Sequence, residues 1–165
     1  MKENSQECAS HNFDDQYILD REFIKSCYKV LLVLAHNFKR GQFIVNSSMV
    51  FILKYIRIYN HNEINKYLLC VSSFVLAAKS RDEPLPLNPV AIFLRKITNP
   101  LAKNRVSNWE KENLKNQICD MEYSILCELG FDVDLELPNI HIASMCEGAH
   151  HDVEKYAYMF LNDSF

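Results

Sequence analysis

Residues 67–78, YLLCVSSFVLAA, form the stretch of sequence that decides the fold. Ten of these twelve residues are apolar, and the stretch contains no glycine, proline or charged residue. A helix that is apolar on every side but too short to cross a bilayer belongs at the centre of a helical bundle. The pattern therefore predicts a buried helix over about residues 63–80.

Amphipathic stretches on both sides of this helix supply its packing partners. Asp20 is expected to cap the first helix, and Gly41 marks the break after it. Asn46 or Ser47 is expected to open the second helix, and Asn88 to cap the fourth. The predicted helices are 20–39, 46–59, 63–80, 88–98 and 107–129, with a last amphipathic segment over about 151–161.

The fifth helix is the best delimited of the set. Ser107 and Glu110 match the S-x-x-E capping box, and Gly130 lies where a left-handed helix cap is expected. Its apolar residues repeat at spacings of three and four, which places them on one helical face. They are Leu114, Ile118, Met121, Ile125 and Leu129.

Composition favours the same all-α fold. The 165 residues include only three glycines, and the five prolines lie between residues 84 and 100 and at 138. Long segments without proline leave room for uninterrupted helices, and the shortage of glycine argues against tight hairpins and phosphate loops. The formal net charge of −3 provides no overall basic field for nucleic acid.

Targeting signals are absent from the sequence, so we expect a protein of the cell interior with reduced thiols. The N-terminus is polar and has no apolar signal region, and the longest apolar runs are well short of a membrane span. Cys27 and Cys70 lie in apolar helical runs, where a free cysteine packs as a small hydrophobic residue. We therefore expect neither disulfides nor a membrane segment.

Catalytic and metal-binding patterns are also missing. No G-x-S-x-G, H-E-x-x-H or glycine-rich phosphate motif occurs, so nothing in the sequence argues for a catalytic residue, a cofactor or an enzymatic activity, and we assign none. His141, Cys146, His150 and His151 are potential ligands, but their spacing matches no common zinc pattern. These four are expected to be solvated residues of a linker.

A small basic group at Arg95, Lys96, Lys103 and Arg105 is expected to be a solvated helix end and loop.

Two charged residues stand out by their positions. Lys79 ends the apolar third helix, where a cation is favoured by the helix dipole. Glu122 lies at the edge of the apolar stripe of helix five, and since most helical charges face water, periodicity favours an ordinary boundary carboxylate. If both instead project to one surface beside exposed Leu126 and Phe131, they form a polar pair in an apolar patch, which is typical of a protein-binding site.

The segment Val75–Lys79, followed by Pro84 and then Leu87, resembles the third-helix signature of the cyclin box. The segment 121–133, MEYSILCELGFDV, followed by Glu136–Pro138, resembles its fifth-helix signature.

Two further segments narrow the resemblance to transcription-type cyclins such as cyclins T and K. Arg57–Tyr59 is similar to the Arg-Phe-Tyr that ends their second helix, with Ile58 in place of the aromatic residue. Residues 156–164 are similar to the first helix of their second box. Arg81 stands where the family usually carries an acidic residue.

The resemblance implies a five-helix box over residues 20–137, preceded by a flexible tail (1–19) and followed by a linker and a partial second-box helix (138–165). It implies a nuclear, or nuclear and cytoplasmic, regulatory subunit that forms a heterodimer with a cyclin-dependent kinase and activates it in transcription or cell-cycle control. It assigns kinase binding to Lys79 and Glu122, and the apolar part of the same surface to Leu126, Phe131 and Val133.

Two other functions remain open at the level of sequence. The same helical fold serves in transcription factors related to factor IIB, but direct binding of nucleic acid needs a basic face that a chain of net charge −3 does not offer. A cyclin-like fold can also act as a protein-binding module that does not activate a kinase.

Overall fold

The computed structural model describes residues 7–60, 63–101, 106–135, 137–147 and 151–163. Within these residues all regular structure is helical, as the sequence predicts. The helices are α1 (Glu7–Phe38), α2 (Gln42–Ile56), α3 (Lys66–Ser80), α4 (Leu87–Thr98), α5 (Asn108–Glu128), α6 (Pro138–Met145) and α7 (His151–Asp163). None of the helices in the described part of the chain is long and apolar enough to cross a membrane.

Helix α3 is the centre of the bundle, as its composition predicts. It packs against α1, α2, α4 and α5, and all residues from Leu69 to Ala78 are buried. Asn65 caps its first turn by accepting a hydrogen bond from the Leu68 backbone N–H at 3.2 Å. Burial of a helix on every side against four neighbours explains why its apolar residues continue around the whole helix.

Two buried cysteines join α1 to α3, in line with their expected role as small hydrophobic residues. Cys27 and Cys70 are fully buried, and the Cys70 thiol lies 3.9 Å from the Cys27 carbonyl oxygen. Interaction with Cys27, followed by burial, raises the pKa of the Cys70 thiol well above its ordinary value. The Cys70 thiol is therefore protonated and unreactive at neutral pH.

The first helix begins earlier than predicted. Helix α1 starts at Glu7, so Asp20 lies inside it and does not cap it. No glycine or proline interrupts residues 7–20, so nothing in the local sequence stops the helix there. Residues 7–19, which the sequence predicts to be a tail, are thus helical. Their mobility stays a prediction, and so does the division of the chain at residues 20 and 138.

The junction between α1 and α2 also differs from the prediction. Lys39, at φ 53°, closes α1, and the Arg40 N–H bonds to the Ala35 carbonyl at 2.9 Å. Gly41 then serves as the N-cap of α2. Asn46 is consequently a buried residue inside α2, where its side chain accepts a hydrogen bond from Gln42 at 3.0 Å.

Ser107 caps α5 as predicted, since its side chain accepts a hydrogen bond from the Glu110 N–H at 3.1 Å. We expect Ser107→Ala to lower the free energy of unfolding by about 1 kcal/mol, because one N–H of the first turn loses its acceptor. Urea denaturation measures this change. Ser107→Asp, which keeps an acceptor, serves as the control, and equal midpoints for Ser107→Ala and the unaltered chain would contradict the assignment.

Candidate protein-binding surface

Lys79 and Glu122 meet where the C-terminal turn of α3 packs against the middle of α5. The Lys79 Nζ lies 2.9 Å from both carboxylate oxygens of Glu122, and it donates a hydrogen bond to Oε2. The Lys79 side chain is 45% exposed, whereas that of Glu122 is 6% exposed. The pair therefore consists of a buried carboxylate and a half-exposed ammonium at the protein surface.

Burial of Glu122 corrects the expectation that this carboxylate faces water. Ile118 precedes it by four residues and Ile125 follows it by three, and both are fully buried. Residues at these spacings share one helical face, so the same face carries Glu122 into the contact with α3.

The pair retains unused hydrogen-bonding capacity. The Oε1 atom of Glu122 is buried and lies 2.9 Å from the Lys79 ammonium, but it accepts no hydrogen bond of good geometry from the described residues. A lysine ammonium carries three donors, and the hydrogen bond of Lys79 within the described residues uses one of them. The buried carboxylate is therefore balanced by Lys79, and the half-exposed ammonium keeps donors that its hydrogen bond to Glu122 does not use.

Apolar side chains follow Glu122 on α5 and on the chain after this helix. Leu126 lies one helical turn after Glu122 and packs partly on the core, as does Val133. Phe131 is 60% exposed. We use the term candidate surface for Lys79, Glu122, Leu126, Phe131 and Val133.

The end of α5 fixes the position of Phe131. Gly130 has φ +61°, and its N–H bonds to the Cys127 carbonyl at 3.1 Å, while the Phe131 N–H bonds to the Leu126 carbonyl at 2.8 Å. These two hydrogen bonds form a Schellman motif, which confirms the predicted glycine cap. Phe131 itself has φ 61°, a left-handed conformation that is costly for a residue with a side chain.

Arg81 connects three parts of the fold beside this surface. Its Nη2 donates a hydrogen bond to the Leu135 carbonyl at 3.1 Å, and its guanidinium carbon lies 5.6 Å from the centre of the Phe43 ring. The end of α3 is thereby fastened to the segment after α5 and to the first turn of α2. In the sequence, Arg81 stands out only as a departure from the family pattern, because its partners are distant along the chain.

Tyrosines near the end of α2 brace that helix against α5. The Tyr55 hydroxyl is 3.0 Å from that of Ser124, and the Tyr59 hydroxyl donates to Glu128 Oε1 at 2.6 Å. The hydrogen bond to Glu128 raises the pKa of Tyr59. These contacts give Tyr59 a role in packing against α5 that its sequence does not reveal.

Within the described residues, the other candidate sites of the sequence show no binding geometry. Arg95 forms an ion pair with Glu110, so its charge is balanced, and Lys103 and Arg105 lie outside the described residues. His150 also lies outside them, and the described part of the chain brings together no group of three potential metal ligands.

Comparison with known proteins shows a family and a relative that the chain resembles. The family model described as "Cyclin, N-terminal domain" matches residues 1–134. Cyclin-T of Drosophila melanogaster is 23% identical over 126 residues, which cover 75% of this chain and 11% of that protein. The chain therefore spans only a small part of the length of this relative.

Proposed function

Since the chain belongs to the cyclin family, we propose that it binds and activates a cyclin-dependent kinase through the candidate surface. The protein is then a regulatory subunit of a heterodimer and supplies no catalytic group of its own. Similarity to Cyclin-T favours a kinase that acts in transcription, and with it a nuclear location.

The observation that carries this proposal is the half-exposed ammonium of Lys79, which the buried carboxylate of Glu122 holds in place. This ammonium can donate hydrogen bonds in addition to the one that it donates to Glu122. A partner that supplies acceptor groups completes the hydrogen bonding of Lys79 and removes the pair from water. Hydrogen bonds to charged groups are about twice as strong as neutral ones, so such contacts favour a partner of matching geometry.

The apolar residues around the pair complete a typical interface arrangement. Leu126 and Val133 provide partly buried apolar area, and Phe131 projects an exposed ring. Protein interfaces combine an apolar core with a few oriented polar groups, and aromatic side chains are enriched in them. The candidate surface has this composition.

Activation follows from differential binding to one conformation of the kinase. An active kinase needs the glutamate of its first-lobe helix to pair with the strand-three lysine that positions the ATP phosphates. A cyclin that binds only the inward position of this helix shifts the kinase population toward the active state. Changing that population from about 1:99 to 99:1 requires roughly 10,000-fold preference for the active form.

The direct test measures kinase activity with and without the chain. The chain is mixed with purified cyclin-dependent kinases of the cell-cycle and transcription classes, and phosphorylation of a peptide substrate and formation of a heterodimer are followed. We expect a stable complex and a large rise in activity with at least one kinase. A complex without a rise in activity would identify a non-activating module, and the absence of any complex would overturn the proposal.

A further inference from the structure

Tyr123 and Phe131 form an aromatic pair on the outer side of α5. Their ring centres are 6.4 Å apart and the rings meet edge to face at 68°. Tyr123 is 64% exposed and Phe131 is 60% exposed. Two large rings thus contact each other while most of their surface remains in water.

Folding alone does not account for this arrangement. Exposed rings gain little of the free energy that burial provides. Phe131 also keeps the left-handed conformation at φ 61°, which costs about 1–3 kcal/mol in a residue with a side chain. Backbone strain of this kind concentrates at functional sites, where the strained residue serves a purpose other than stability.

The aromatic pair is continuous with the candidate surface. The Tyr123 ring contacts that of Phe131, which belongs to this surface, and the backbone of Phe131 is hydrogen-bonded to that of Leu126 at 2.8 Å. The Tyr123 ring is neutral at physiological pH, since the ordinary pKa of a tyrosine is about 10, and interaction with Cys127, one turn further along α5, raises this pKa. A neutral aromatic platform therefore extends the candidate surface from Phe131 to Tyr123.

We propose that Tyr123, held against Phe131, is an additional kinase-binding residue and forms with it an aromatic anchor for an apolar side chain of the kinase. This inference rests on the proposed function and extends the same surface by one residue. Tyrosine is among the residues that most often dominate the binding energy of an interface, because it offers a large rigid contact at small entropic cost.

The test compares Tyr123→Ala with the unaltered chain for binding to the purified kinase that the chain activates. We expect Tyr123→Ala to weaken binding by about tenfold or more, which is the loss typical of an anchor residue. Tyr123→Phe keeps the ring and should bind within about threefold of the unaltered chain, corresponding to less than a typical hydrogen bond. The melting temperature of Tyr123→Ala should not change, since the ring is exposed.

Trp109→Ala is the matched control, because Trp109 is 78% exposed at the other end of the same helix. It should bind the kinase normally. Equal affinities of Tyr123→Ala and Trp109→Ala for the kinase would overturn the inference and leave the proposed function intact. A loss of binding by Tyr123→Ala together with a fall in its melting temperature would have the same consequence, because Tyr123 would then act in folding. If the unaltered chain binds no kinase, the proposed function fails and this inference fails with it.

Discussion

The double variant Lys79→Glu/Glu122→Lys is expected to lose kinase binding while its helical bundle remains folded. The exchange keeps one cation and one carboxylate facing each other across α3 and α5, so the attraction within the pair survives. The partner, however, meets a carboxylate at the position where the unaltered chain presents the half-exposed ammonium. Truncating one member of a hydrogen-bonded charge pair at an interface costs about 2–5 kcal/mol, and a reversal should cost at least as much.

Two measurements on each variant separate binding from folding. Affinity for the kinase is measured by calorimetry, and helical content and melting temperature by circular dichroism. Lys79→Glu alone places a second carboxylate against the buried Glu122 and should lower the melting temperature, whereas the exchange should largely restore it. Normal binding of the kinase by the folded double variant would remove Lys79 and Glu122 from the interface.

Much of the bundle could be predicted from sequence, because its central element is defined locally. The apolar stretch of α3 requires burial on every side, and the pattern of α5 requires burial on one side. Ser107 and Gly130 mark the ends of α5 through contacts with residues no more than four positions away. Such features depend on neighbours in the chain, which a sequence displays directly.

Polar residues inside helices explain the errors at the start of the chain. Asp20 and Asn46 belong to residue types that favour N-caps, yet both lie inside helices. Asn46 is tolerated there because Gln42 satisfies its side chain. Whether a polar residue caps a helix or is satisfied inside it depends on partners, and propensity alone does not identify them.

The candidate surface also combines features that a local sequence pattern shows with features that depend on distant partners. Glu122 is flanked by Ile118 and Ile125 at helical spacings, so its burial was encoded in the sequence, although charged residues usually face water. The contact of Arg81 with Leu135 joins residues 54 positions apart, and no local pattern reveals it. The pairing of Tyr123 with Phe131 depends in turn on the left-handed conformation of Phe131, which is unusual for a bulky residue.

Phe74→Ala is expected to cause the largest loss of stability of any single truncation in α3. Phe74 is the largest apolar side chain in the buried run of this helix and is fully buried. Its removal should cost about 3–5 kcal/mol, because the lost contacts leave a cavity. Neighbouring helices on several sides hold the walls of that cavity apart, so it cannot collapse easily.

A loss of that size is a large part of the roughly 5–15 kcal/mol that stabilises a typical domain. In a chain of this length it should lower the melting temperature by about 6–20 °C. Phe160→Ala is the matched control, because Phe160 is 80% exposed on α7, and it should change stability by no more than about 0.5 kcal/mol. Similar melting temperatures for the two variants would mean that α3 does not form the centre of the bundle. The proposed binding function requires that centre, since α3 holds Lys79 in place against α5 and so presents the pair to a partner.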